Sequence, residues 1–230
     1  MEQLPLAVRT PDGAAFENFH LARNAEAVAA LRRFVASDDE PRLFHLHGPP
    51  GSGKTHLLYA CLREAADRGA PLAYQSFGEG EAGLMPDEIT GAGLVCLDDV
   101  HRLAGDAQRE LALFALIERL RAARGRAVFA AVTPARGARF RLPDLASRLS
   151  AALSYGLHVL NDLEKAAALR ARATARGFSL GDDIVAYVLR RYPRDPSTLF
   201  AWLDRVDRAS LTEQRRVTLP FVQWLEKQSP

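Results

Sequence analysis

Apolar residues recur along this chain in two alternating rhythms. Short aliphatic runs at Leu43, Phe44 and Leu46, at residues 72–75, at residues 94–97 and at residues 128–132 have the length and composition of strands, the third running continuously apolar as a central parallel strand does. Between them lie stretches of helical period. One covers residues 54–67 and is ended by Gly69; another covers residues 106–123, where Leu111, Phe114, Ala115 and Leu120 fall at helical spacing up to the stop at Gly125. Strand and helix in alternation predict a parallel sheet with right-handed crossovers and both faces covered, an α/β fold. Beyond about residue 160 the rhythm changes. No further strand is expected, and helices are predicted over residues 163–176, 182–191 and 197–209, with a short last one after Pro220. The expected division is an α/β unit over residues 11–160 and a small helical bundle over residues 161–230.

The first strand runs into GPPGSGKT at residues 48–55, a full match to the phosphate loop Gly-x-x-x-x-Gly-Lys-[Ser/Thr]. Gly48, Pro49, Pro50, Gly51, Ser52 and Gly53 form a turn in which glycine lets successive backbone N–H groups face inward around a phosphate, and the helix that follows adds its positive end. Lys54 is placed to reach the β- and γ-oxygens and Thr55 to ligate Mg²⁺, with His56 counted among the nucleotide-binding residues in the same first turn. About 45 residues on, the third apolar run ends in Asp98 and Asp99. The first carboxylate is expected on the metal and the second beside an attacking water, against the alternative that both cap the next loop. Thr133 follows the fourth strand, where its hydroxyl is either near the γ-phosphate or simply part of a turn with Pro134. Arg148, in LPDLASRL at residues 142–149, lies on a short helix. Its guanidinium is suited to the nucleotide site of a neighbouring subunit, or to a surface ion pair.

Composition narrows the function. The chain has 230 residues, 48% apolar and 25% charged, with a formal charge of only +2, so the broad basic footprint that drives duplex DNA binding is absent from the sequence. No apolar run reaches the roughly 18 residues of a membrane span, and the start lacks a secretory pattern, so a cytoplasmic location without membrane attachment is expected. Cys61 and Cys96 sit among aliphatic neighbours without metal-ligand spacing, as reduced core residues would, and the six histidines form no metal signature.

With FENF at residues 16–19, Asn24, GPPGSGKTHLL, the aspartate pair and SRL, the chain resembles the DnaA-related AAA+ ATPases. LPDLASRL, TLF at residues 198–200, LDRVDRAS at residues 203–210 and TLPFV make it most similar to the Hda family, regulatory inactivators of DnaA. The resemblance covers nearly the whole chain. It implies an AAA+ P-loop parallel sheet with helices on both faces followed by a small all-helical lid domain. It also implies bound ADP or ATP with Mg²⁺, the initiator DnaA as partner, and Arg148 completing the hydrolytic site of that partner. The segment at residues 1–10 is similar to the extended peptides with which such proteins dock on the DNA polymerase III β sliding clamp, Gln3 for hydrogen bonds and Leu4 and Leu6 as anchors. DNA contact is then indirect, through the clamp, and the helix-turn-helix DNA reader of DnaA is not expected here. Where this group carries a sensor arginine the chain has Ser197, with Arg194 as the candidate replacement, so an activator of another ATPase is expected rather than a fast ATPase, and a homo-oligomer is compatible. The competing expectation is a nucleotide-dependent adaptor, of the helicase-loader kind, that recruits replication proteins without stimulating hydrolysis.

Overall fold

A computed structural model describes residues 14–37, 39, 42–78, 93–193 and 195–228; Gln3, Leu4, Leu6 and Arg194 lie outside these. The chain divides into two compact units, with the boundary between Val159 and Leu160.

The first unit is built on five strands, β1 (Leu43–His47), β2 (Leu72–Ser76), β3 (Leu94–Asp98), β4 (Arg126–Ala131) and β5 (Leu153–Gly156). All pair in parallel in the order β2-β3-β4-β1-β5, with Phe44 between Val128 and Leu153, and Cys96 between Tyr74 and Val128. Period-two alternation then decides the two cores. Phe44, Leu46, Leu94, Cys96, Val128 and Ala130 point to one face and pack with α1 (Ala25–Ala36) and α2 (Lys54–Ala66). Leu43, Val95, Leu97, Ala127, Phe129 and Ala131 point to the other and pack with α3 (Ala107–Ala122) and α4 (Pro143–Ser150). Cys61 and Cys96 are free and fully buried in the first of these cores.

The structure departs from the sequence expectation in five places. Helix α1 and strand β5 are additional elements. Leu111, expected on the apolar face of its helix, is 59% exposed, because the buried stripe of α3 is Leu113, Leu116, Ile117 and Leu120, a cleaner i, i+3, i+4, i+7 set. Strand β4 starts at Arg126 and ends at Ala131, one residue before Val132. Helix α7 (Pro196–Glu213) runs four residues past the expected end at Ala209 and stops at Gln214, which takes the left-handed cap conformation at φ 51°.

The second unit is a four-helix cluster of α5 (Asp162–Ala175), α6 (Asp182–Arg191), α7 and α8 (Leu219–Gln228). Its core gathers Leu169, Val188, Leu199, Trp202, Val206 and Phe221. Asn161 and Glu164 form a reciprocal capping box at the start of α5, and Asp195 caps α7 ahead of Pro196.

Candidate nucleotide-binding site

Strand β1 delivers the chain to the carboxyl end of the sheet, where open α/β folds bind their ligands. The backbone N–H of Gly48 donates to the Ala131 carbonyl of β4 at 3.2 Å, so the phosphate loop starts tied to the neighbouring strand. A Cβ on Gly48 would stand 2.5 Å from the Leu157 carbonyl oxygen. Gly53 has φ +93°, and a Cβ there would stand 2.5 Å from the ring of Phe19. Backbone conformation and lack of space both require glycine at Gly53. The loop then feeds α2, whose first turn carries no acidic residue to neutralise its positive end.

The polar groups of the loop are arranged for an anion. Lys54 is buried, and its Nζ donates to the carbonyls of Gly48 at 2.7 Å and Pro49 at 3.0 Å, folding back over the loop. Burial lowers its pKa, and the negative charges of Asp98 and Asp99 partly restore it. Among the described residues, the buried Ser52 hydroxyl finds no hydrogen-bond partner, although buried polar groups are nearly always paired. A polyphosphate fits this set, with Ser52 and the backbone N–H groups as donors and Lys54 as counter-charge.

Asp98 ends β3 next to the loop. Its Oδ2 accepts from the Thr55 hydroxyl at 2.6 Å and its Oδ1 from the Asp99 N–H at 2.9 Å. Burial raises its pKa, a shift opposed by the Thr55 hydrogen bond and reinforced by the Asp99 charge. A hydroxyl and a carboxylate oxygen in contact beside a phosphate loop form the oxygen pair that Mg²⁺ takes along with phosphate oxygens and water, so the residues fit that ion. Asp99 adopts φ 56°, a conformation uncommon for a residue with a Cβ, and opens the 3-10 turn Val100–Leu103. Its Oδ1 lies 3.9 Å from His101 Nδ1. His101 is a site neighbour that no sequence motif marks, and burial keeps its pKa below the ordinary value. Thr133 is exposed, two residues beyond Ala131, at the same end of the sheet.

His56 is turned to the N-terminal side of the loop. Its Nε2 lies 2.9 Å from the Ala15 carbonyl oxygen and its ring centroid 5.6 Å from that of Phe19. Asn24 fixes this N-terminal segment from the other side. Its amide donates to the His158 carbonyl at 3.0 Å and accepts from the His158 N–H at 2.8 Å, a two-point backbone grip from a buried side chain. Phe19 and Asn24 therefore flank the loop at positions that motif spacing alone does not single out.

Arg148 stands elsewhere. Leu145 and Leu149 bury one side of α4, and Arg148 flanks that stripe with its side chain 41% exposed and Nε 3.0 Å from Glu118 Oε1. Glu118 also accepts from Arg121 at 3.1 Å. Arg42, Leu43, Glu118, Arg121, Arg148 and Ala151 line a surface groove of about 610 Å³. Leu43 begins β1 and His47 ends it beside the phosphate loop, so the groove lies about one strand length, roughly 13 Å, from the cradle. Ser197, in the second unit, donates to the capping carboxylate of Asp195 at the start of α7. Among the described residues, no helix is long and apolar enough to cross a membrane, and no cluster of three or more side chains suited to a metal ion occurs.

Comparison with known proteins places these features. Residues 162–225 match the family described as Hda, lid domain. The structure is similar to domain III of the replication initiation protein DnaA of Thermotoga maritima, with TM-score 0.76 and 18% identity over 97% of this chain and 100% of that one. It is similar to AMPPCP-bound DnaA from Aquifex aeolicus, with TM-score 0.71 and 18% identity over 90% of this chain and 71% of that one. A RuvB mutant from Thermotoga maritima has TM-score 0.65 and 17% identity over 95% of this chain and 72% of that one. At these identities the likeness is one of fold, a parallel sheet flanked by helices.

Proposed function

We propose that this chain, a DnaA-related AAA+ protein with an Hda-type lid, is a negative regulator of replication initiation that binds ADP or ATP with Mg²⁺ and stimulates hydrolysis of DnaA-bound ATP in trans. The observation that carries this reading is the separation of two charged sites along β1. Lys54, Ser52, Thr55 and Asp98 converge at one end of the strand, and Arg148 is exposed at the other, out of reach of its own cradle.

On binding, Lys54 exchanges the Gly48 and Pro49 carbonyls for phosphate oxygens, and the Ser52 hydroxyl gains an acceptor. Thr55 and Asp98 hold Mg²⁺, which neutralises phosphate charge when bound. In trans, Arg148 exchanges the Glu118 carboxylate for the phosphoryl oxygens of a partner. An exposed ion pair contributes at most about 1 kcal/mol, so a desolvated, bidentate phosphate contact outweighs it. Docking through Gln3, Leu4 and Leu6 on the sliding clamp would concentrate the chain where DNA is loaded, in the cytoplasm, with DNA contacted through the clamp. The same exposed end leaves room for self-association.

The Arg148 pair with Glu118 and the serine at position 197 favour one second reading, an adaptor that uses its nucleotide to recruit a DnaA-like protein and leaves hydrolysis alone. A single assay separates the two. Turnover of ATP bound to DnaA is followed with this chain, with and without DNA-loaded clamp. The first reading expects acceleration that needs the clamp and is lost when Gln3 and Leu4 are both changed to Ala; unaccelerated turnover in a complex shown to form leaves the adaptor.

A further inference from the structure

Helix α3 carries a carboxylate that the nucleotide site does not use. Glu110 is buried to 0% exposure, four residues into the helix capped by Asp106. A buried charge is costly unless it is fully hydrogen-bonded. Glu110 meets that condition with backbone groups from two different segments. Its Oε1 accepts from the Gly105 N–H at 2.7 Å, and its Oε2 accepts from the N–H groups of Arg141 and Leu142, each at 2.8 Å.

The two segments are the ones the proposed reaction depends on. Gly105, at φ +93°, closes the short stretch that starts at Asp99 and turns through Val100–Leu103. Arg141 and Leu142 are the last residues before α4, the helix of Arg148. Leu142 occupies the N-cap position and its side chain makes no capping hydrogen bond, and Pro143 at N1 has no N–H to offer. Glu110 thus accepts from the two N–H groups that lead into that helix. Leu145 and Leu149 fix how deep α4 sits, but apolar contacts are non-directional and leave its rotation and slide poorly determined. Two charge-assisted hydrogen bonds to the residues just ahead of its first turn are directional. Arg148 lies six residues beyond Leu142, about 9 Å along the axis, so a small tilt at the start moves the guanidinium appreciably.

We propose that Glu110 is a positioning residue for Arg148: one buried carboxylate registers the start of α4 against the segment leaving the aspartate pair, and so presents the arginine in the orientation a partner nucleotide requires. This rests on the role given to Arg148 above. The deciding variant is Glu110→Gln, which keeps the size of the side chain but offers one acceptor oxygen and turns an NH₂ group toward backbone donors. The expected result is a maximal stimulated rate lowered at least tenfold, with nucleotide affinity and half-saturating concentration within threefold of the parent chain. In the Arg148→Ala background the change should add nothing. Amide exchange should quicken at least tenfold over residues 141–150 and stay unchanged in α2. A full stimulated rate with parental exchange in α4 overturns the proposal, and so does faster exchange spread evenly over all elements with loss of nucleotide binding, which makes Glu110 a stability residue only. Glu110→Asp, which retains the charge but cannot span both segments, gives the same readouts should the glutamine variant fail to fold. If the parent chain itself does not accelerate DnaA turnover, the function proposed above fails, and the exchange comparison alone decides the role of Glu110.

Discussion

The two ends of the sheet in the α/β unit are built on opposite plans. At the carboxyl end Lys54 and Asp98 are buried and already partnered inside the chain, Lys54 on two loop carbonyls and Asp98 on Thr55 and the Asp99 N–H, beside the buried Ser52 hydroxyl that awaits an acceptor. At the amino end the side chains of Arg148, Glu118 and Arg121 are at least one-third exposed, and both arginines pair with Glu118. Buried partners pre-set a geometry for a ligand that comes in, whereas an exposed guanidinium with a weak partner is free to leave the surface for a ligand held elsewhere. On the proposed function, one sheet carries a receiving end and a donating end.

Crossed substitutions test that division most strongly. Arg148→Ala should lower stimulated turnover of DnaA-bound ATP by about 10³-fold or more, the range for removal of an arginine that stabilises a transferring phosphoryl group, and Arg148→Lys should not restore it. Its own nucleotide affinity should stay within twofold, measured by calorimetry; a parallel loss of that affinity would merge the two ends into one site. Lys54→Ala should do the reverse, weakening nucleotide binding by about 10- to 100-fold, as expected for a lost charge-assisted contact, without lowering the melting temperature of the nucleotide-free chain.

Strand β1 joins the two ends, and His45 at its middle gives it a pH limit. Burial first, and the nearby His47 second, lower the His45 pKa from 6.5 to about 4. The unfolded chain takes up this proton below about pH 6.5 while the folded chain resists until about pH 4, so stability is lost as pH falls through that window. The loss approaches about 3 kcal/mol at its lower edge. Denaturant titrations at pH 7 and pH 4.5 should show it, and His45→Asn should shrink the difference; an unchanged pH dependence in that variant would place the titrating group elsewhere.

The smallest effect belongs to Glu118. Glu118→Gln should change folding stability by less than about 1 kcal/mol, because the pair is solvent-screened, and should raise stimulated turnover by no more than about fivefold by freeing Arg148. Reduced turnover would instead make Glu118 part of the presentation of the arginine.

Much of this was legible in the sequence, for reasons that differ by element. The aliphatic runs of β1, β3 and β4 are buried on both faces, so each residue testifies to the sheet. Glycine and lysine spacing marks the phosphate loop because the backbone itself has to turn there. Strand β5 reads Leu-Ser-Tyr-Gly and lies at the sheet edge, alternately half-buried and exposed, which leaves too few apolar positions to announce a strand. Helix α1 does carry a helical period in Val28, Leu31 and Val35, and is the element that an argument centred on the phosphate loop passes by. In α3 the apolar residues continue around the helix, so spacing alone chose Leu111 for the core where packing chose Leu113. The partners of Glu110 and Arg148 are invisible at that level. Arg141 lies 31 residues from Glu110, and only the fold brings them together.

Asn24 grips His158 across 134 residues of chain, closing nearly the whole α/β unit into a ring with two hydrogen bonds. Residues 24 and 158, near the two ends of the described part of this unit, therefore lie side by side. Folds with adjacent termini tolerate circular permutation and insertion whole into other proteins, since a host chain can continue past them almost undisturbed.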